Sequence, residues 1–361
     1  MIKSAYIHIP FCNTICTYCD FCKIYYDKKY INDYLSNLEK EIKSRYKEDI
    51  LDTIYIGGGT PTSLDVSELE RLLKILSIFK KNNNLEYTIE SNVESLSLDK
   101  IKLIKKYGIN RVSLGVQSFN DKILKELNRH HNKDMVFKAV KKLKNNGITN
   151  INIDLIYGVN NDINNIKNEI KEFIKLDIPH ISCYSLIIED NTIFGISNRN
   201  YIDESIEYEM YEIIRNTLKD NNYNHYEISN YSKDNYQSRH NLTYWNNDYY
   251  YGFGLGAVSF IDNKRISNTK NLTKYLKGNY IYEEILEDKK TRMENELIVG
   301  LRKIEGINTK EFYKKYNENI EDIFPIKRLI KEGKLNIKNN NIFIPEDKLY
   351  LSNEILLEFI N

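Results

Sequence analysis

Cys12-Asn-Thr-Ile-Cys16-Thr-Tyr-Cys19 spaces three thiols as C-x₃-C-x₂-C in one short stretch. Thiolates are soft ligands that hold iron–sulfur clusters and zinc. Three of them on a tight loop can take three corners of a cubane [4Fe-4S] cluster and leave the fourth iron open, whereas an electron-transfer cluster uses four cysteines. An open metal position is a place for a ligand to bind and react, the distinction that separates catalytic from structural zinc. Cys22 follows closely, so a zinc knot of Cys12, Cys16, Cys19 and Cys22 is the alternative, although zinc sites more often pair two C-x-x-C turns across a longer loop. Cys22 could then be a fourth ligand or a small buried residue. The fifth cysteine, Cys183, stands alone in an apolar run and reads as core.

Further residues carry chemistry by type and place. Gly57-Gly-Gly-Thr-Pro61 follows a β-rich run; glycines let a ligand approach the backbone closely, and they also make a tight turn. Glu90, Gln117 and Asp154 are each polar in an otherwise apolar run. Burial there without a partner costs about 1–3 kcal/mol, so each is either a satisfied core group or a ligand contact. Ser238-Arg-His-Asn-Leu-Thr-Tyr-Trp245 contains His-Asn-x-x-Tyr-Trp and the only tryptophan, in a chain with 29 tyrosines. Beside flat aromatic faces, the His240 imidazole could supply an axial nitrogen to haem iron; a packed surface loop is the plainer reading.

The elements that must position these residues are legible in outline. Strands are expected at Ala5–Ile9, Thr53–Ile56, Tyr87–Glu90, Arg111–Gln117, Asn150–Tyr157 and His180–Ile188. Helices are expected over Lys29–Arg45, Val66–Phe79 (with an Asp65/Glu68 capping box), Ser97–Tyr107, Asn120–Leu127, Lys133–Asn146, Asn164–Leu176 and Ile202–Asn221. Strands alternating with helices in this way predict an α/β fold: a partial (β/α)₆ TIM-like barrel with parallel strands. In such barrels the chemistry gathers at the C-terminal strand ends, where Gly57, Glu90, Gln117 and Asp154 fall. The expected division is a core barrel over 1–230, a connecting segment over 231–285 and a small helical, winged-helix-like α+β unit over 286–361. Lys80 to Asn84 reads as a solvated loop.

Composition excludes several classes. With 361 residues, 41% hydrophobic and 29% charged, the chain is globular. A net charge of +1 offers no broad field for nucleic acid. No apolar run reaches the ~18 residues of a membrane helix, and the first ten residues lack a signal-peptide core. A reduced cysteine cluster suits the cytoplasm.

The cysteine loop at the end of the first strand resembles that of the radical S-adenosylmethionine (SAM) superfamily. The run Tyr6-Ile-His-Ile-Pro-Phe-Cys12 and Cys19-Asp-Phe21 narrows the resemblance to the coproporphyrinogen-oxidase-like branch. It implies that Cys12, Cys16 and Cys19 hold a [4Fe-4S] cluster whose open iron binds S-adenosyl-L-methionine, and that electron transfer from the reduced cluster cleaves the C5′–S bond. It further implies cofactor contacts by Gly58, Gly59, Thr60, Glu90, Gln117, Arg129 and Asp154, with Tyr6 and Tyr18 nearby. Two loops depart from the family: Asn128-Arg129 stands for Gly-Arg, and Gly158-Val-Asn160 for Gly-Leu-Pro.

Within that branch His-Asn-x-x-Tyr-Trp is similar to the signature of haem chaperones, which implies haem as cargo with His240 as axial ligand, delivery to a haemoprotein acceptor, an electron donor, peripheral membrane contact and a homodimer. The alternative is an oxygen-independent coproporphyrinogen III oxidase. Those oxidases carry an N-terminal extension, where here 11 residues precede Cys12, and a further cysteine where this chain has Phe21. Both differences favour the chaperone-like group.

Overall fold

The computed structural model describes residues 1–360. Its main sheet has nine strands in the order β11-β1-β4-β5-β6-β7-β8-β10-β9. The strands are β1 (Ser4–Ile9), β4 (Ile50–Gly58), β5 (Lys80–Asn92), β6 (Arg111–Gln117), β7 (Asn150–Tyr157), β8 (His180–Ser185), β9 (Asn224–Glu227), β10 (Asn230–Ser232) and β11 (Tyr251–Phe253). The two-residue strands β2 (Phe11–Cys12) and β3 (Ile24–Tyr25) pair beside it and close the cysteine loop between them.

From β11 to β8 every neighbour is parallel, and only β10 and β9 turn antiparallel at one edge. The sheet is therefore the open, partial barrel that the alternation of strands and helices predicts. Isoleucine and valine fill the outward positions of the strands (Ile7, Ile54, Ile89, Val112, Ile153), all fully buried beneath the helices. The inward positions are polar over most of their length: Ser4 and Tyr6, Thr53 and Tyr55, Thr88 and Glu90, Arg111 and Ser113, Asn152 and Asp154, His180 and Ser182. Period-two alternation with both faces covered is how a barrel wall separates its core from its lumen.

The helices lie near their expected bounds: α1 (Lys28–Arg45), α2 (Val66–Ile75), α3 (Leu98–Lys106), α4 (Asp121–Glu126), α5 (Lys133–Asn145), α6 (Ile163–Leu176), a short α7 (Ile193–Ile196) and α8 (Glu204–Asp220). The Asp65/Glu68 capping box is present in full. Lys80–Asn84 is not a loop. It is the exposed start of β5, where a polar run continues the pairing of β4 beyond the barrel wall.

The boundaries expected at 230 and 285 both fall inside strands. Residue 230 opens β10, and 285 lies in β14 (Ile281–Leu286), the outer strand of a three-stranded antiparallel sheet with β12 (Val258–Ile261) and β13 (Lys264–Asn268). The intervening chain rejoins the barrel, because β11 pairs in parallel with β1. Beyond it, α10 (Leu272–Leu276) precedes β14, and a second core forms around Leu297, Phe312, Leu329 and Ile342, framed by α11 (Lys289–Gly300) and a three-stranded sheet (Ile307–Asn308, Asn336–Lys338, Asn341–Phe343). That is the small helical unit with a β wing. No helix among the described residues is long and apolar enough to cross a membrane.

Candidate functional site

A cavity of about 450 Å³ opens at the C-terminal ends of the barrel strands. Cys12, Cys16 and Cys19 all line it, whereas Cys22 does not. The Cys22 side chain is turned towards Gly256 and Lys270, and its backbone carbonyl accepts from the His8 ring Nε2 at 2.7 Å. Cys183 is buried in the barrel wall. Among the described residues no three His, Cys, Asp or Glu side chains converge closely enough to chelate a single ion. The three thiols share the lining of one cavity, and the zinc knot lacks its fourth ligand there. The Cys12 thiol lies 3.6 Å from the Thr60 hydroxyl, and burial pushes it up to about 11.

Opposite the loop stand the strand ends. Gly58, Gly59, Thr60, Glu90, Gln117, Arg129, Asp154 and Tyr18 all line the cavity. Tyr6 does not: its hydroxyl is bonded to the His8 ring at 3.0 Å, inside the lumen. The glycines are needed twice over. Gly58 has φ +114°, and a Cβ there would meet the His8 ring at 2.6 Å; a Cβ on Gly57 would meet the Glu90 carboxylate at 2.8 Å. Glu90 accepts from the Tyr55 hydroxyl at 2.8 Å and from the Gly58 amide at 3.0 Å. Burial nevertheless raises its carboxyl to about 7, with Asp154 adding to the rise. Asp154 is raised by burial too, although Asn152 and Ser113 donate to it at 2.8 and 3.2 Å.

Gln117 is held at φ +67°, where the β6–β7 register shifts, so a left-handed backbone aims its side chain into the opening. Arg129 is buried and donates to the Gly115 carbonyl at 2.6 Å and to Asn92 at 2.9 Å, while its other terminal nitrogen reaches the Cys16 sulfur at 3.5 Å. Its Nε is buried with no protein partner. Asn128 takes φ +58°, a left-handed conformation that glycine adopts freely and asparagine tolerates, and its side-chain amide donates to the Ile15 carbonyl at 2.8 Å. The departure from Gly-Arg thus keeps the turn and ties it to the cysteine loop.

Residues missed in the sequence complete the wall. Asn92 bridges Arg129 and Thr60, donating to the latter at 3.1 Å. Two positions beyond Glu90 on the same strand, it shares its face, a signal that strand periodicity carries. Glu94 pairs with His131 at 3.5 Å and Arg129 at 3.8 Å. Burial alone would raise its carboxyl, but these two partners bring it down to about 2.

The His240 motif lies elsewhere, under the opposite end of the barrel. It forms helix α9 (Arg239–Trp245), seated on the Glu86 carboxylate, which accepts from the Arg239 and His240 amides at 3.0 Å each. His240 is 1% exposed. Its Nδ1 is 2.8 Å from the Thr53 hydroxyl and its Nε2 2.8 Å from the Tyr244 hydroxyl. Burial lowers it to about 3, so it is a neutral ring. Thr243 bonds Ser4 at 2.8 Å, and Trp245 lies beneath Arg302 of the small unit. The expected axial ligand thus has both nitrogens engaged and no open face: α9 is the floor of the barrel and its link to the C-terminal unit.

Thiols on a loop at the mouth of a parallel barrel, facing a polar wall of strand ends, define a radical SAM site. The Radical SAM superfamily profile matches residues 6–175, and the HemN C-terminal domain profile matches 288–347. Heme chaperone HemW from Lactococcus lactis is 38% identical over 99% of this chain and 97% of its own. Its counterpart from Bacillus subtilis is 35% identical over 99% of both chains. That from Escherichia coli is 32% identical over 77% of this chain and 76% of its own. The fold matches that of coproporphyrinogen III oxidase HemN from Escherichia coli, with a TM-score of 0.86 at 22% identity, over 99% of this chain and 90% of that one. The chain belongs to the HemW family, within the radical SAM superfamily.

Membership implies a [4Fe-4S] cluster and SAM. The residues present fit both groups: three cavity-facing thiols, a buried arginine with an unpaired Nε beside them, and carboxylates suited to a cationic ligand.

Proposed function

We propose that this protein is a haem chaperone, which binds haem and passes it to a haemoprotein acceptor in the cytoplasm. The observation that carries the reading is near end-to-end identity with proteins named heme chaperones, 38% and 35% over 99% of this chain, set against 22% for the oxidase of the same fold. In this reading Cys12, Cys16 and Cys19 hold the cluster. Gly58, Gly59, Thr60, Glu90, Gln117, Arg129 and Asp154 hold SAM, with Tyr18 packed beside the loop. An electron donor, a homodimer and peripheral membrane contact belong to the same proposal. His240 supports the barrel floor in the conformation described; its use as haem ligand would require the ring to leave Thr53 and Tyr244.

The test is anaerobic reconstitution followed by haem titration, with porphyrinogen offered in parallel. A saturable Soret shift and transfer of haem to an apo-haemoprotein support the chaperone. Formation of protoporphyrinogen without haem transfer would move the assignment to the oxidase.

A further inference from the structure

Arg111 is the first residue of β6, and its side chain is 2% exposed within the barrel lumen. No hydrogen bond or ion pair to it is formed among the described residues, and its Nε is buried without a partner, as is the Thr88 hydroxyl beside it in register. A buried charge left unpaired is costly, and removing such a group in favour of a well-packed apolar one is often neutral or stabilising. A lumen that keeps it is retaining it for something other than stability.

The groups around it explain what it faces. Ser113, two residues along the same face, donates to Asp154 and pairs in register with Glu90. Both carboxylates are wholly buried, and burial, the largest influence on each, raises them; the positive charge of Arg111 opposes that rise at both. Their direct hydrogen bonds go elsewhere, to Tyr55, Gly58, Asn152 and Ser113. Arg129, the other cation on the cavity wall, donates to Asn92 and the Gly115 carbonyl and to neither carboxylate, and the neighbouring phenols, thiol and imidazoles are uncharged. Burial keeps the phenols of Tyr6, Tyr55 and Tyr244 around Glu90 neutral, and likewise Tyr184 and Cys183 near Asp154. The His180 and His240 imidazoles are neutral as well.

We propose that Arg111 is a positioning residue for cofactor recognition: a fixed positive charge one layer below Glu90 and Asp154 in the lumen that favours their ionised forms against the effect of burial, so that a cationic sulfonium ligand is met by carboxylates. It acts through those two side chains and touches no ligand itself. The inference rests on the assignment of Glu90 and Asp154 to the SAM site.

The test is SAM affinity of the cluster-loaded protein by equilibrium dialysis across pH, with thermal melting alongside, for Arg111→Met, Arg111→Gln and Arg111→Lys. Loss of the charge is expected to weaken binding about tenfold at neutral pH, a shift of about one pH unit in the acid limb, with recovery towards the wild-type value at high pH. Arg111→Lys restores the profile, and Arg111→Met melts no lower than wild type. Arg111→Gln carries the same test should Arg111→Met not fold, because it drops the charge and keeps polar atoms. An equal loss at every pH, or no loss, overturns the proposal. Glu90→Gln and Asp154→Asn separate the two readings: if neither weakens SAM, the site assignment fails, and if both do while Arg111→Met does not, only the role of Arg111 fails.

Discussion

The rings of Tyr55 and His240 stack with centroids 5.1 Å apart and planes 28° from parallel. One face of Tyr55 thus rests on the floor of the barrel, while its hydroxyl reaches Glu90 at the cavity. A single side chain joins the helix that carries His-Asn-x-x-Tyr-Trp to the wall that faces the cysteine loop.

Tyr55→Phe keeps the stack and removes the hydrogen bond. Glu90 then loses one of the two donors that favour its ionised form, worth about 1 kcal/mol. SAM affinity at neutral pH is expected to fall about fivefold, with little change in the thermal midpoint. Equilibrium binding and a melt on the same sample check both halves.

His240→Gln tests the floor through pH. The folded ring titrates at about 3, against an ordinary 6.5. Between these values the unfolded chain binds the proton and the folded one does not, so this group's stabilisation is present above 6.5 and is lost as pH falls. Each pH unit below that point is expected to narrow the gap between wild type and variant by about 1.4 kcal/mol. Denaturant unfolding at neutral and mildly acid pH measures it. A gap that stays constant would place the ring in contact with solvent.

Cys16→Ala and Cys22→Ala should part company. Cys16 faces the cavity and Cys22 is turned towards Gly256. After anaerobic reconstitution, Cys22→Ala is expected to retain iron and sulfide at wild-type levels, and Cys16→Ala to lose most of both. Equal loss in the two variants would restore Cys22 as a ligand.

Gly58→Ala strains the turn without touching a thiol. Its φ of +114° and the His8 ring 2.6 Å from the new Cβ leave no room for a methyl group. A destabilisation of about 2–3 kcal/mol is expected by denaturant unfolding.

Much of this was readable in residue order. Cysteine spacing, glycines after a strand, and lone polar residues in apolar runs are local signals, and the barrel brings them to one mouth. Asn92 obeyed the same periodicity as Glu90 and could have been found from it. His240 could not be located, because its motif says nothing of which end of the barrel the helix meets. That is decided by long-range bonds to Ser4, Thr53 and Glu86. Arg111 looked like an ordinary strand start, since an exposed edge arginine and a lumen arginine read alike until the register is known. The bounds at 230 and 285 fall within strands for a related reason: strands added from distant sequence leave no mark in composition.

The pairing of β11 with β1 has a consequence for synthesis. The strand that leads into the cysteine loop has β4 on one side, and its other edge stays bare until Tyr251–Phe253 have been made. A nascent chain released from the ribosome before that point would carry the loop on a half-covered strand open to mispairing. The strand that leads into the cysteine loop is therefore covered on both edges only once translation has entered the last third of the message.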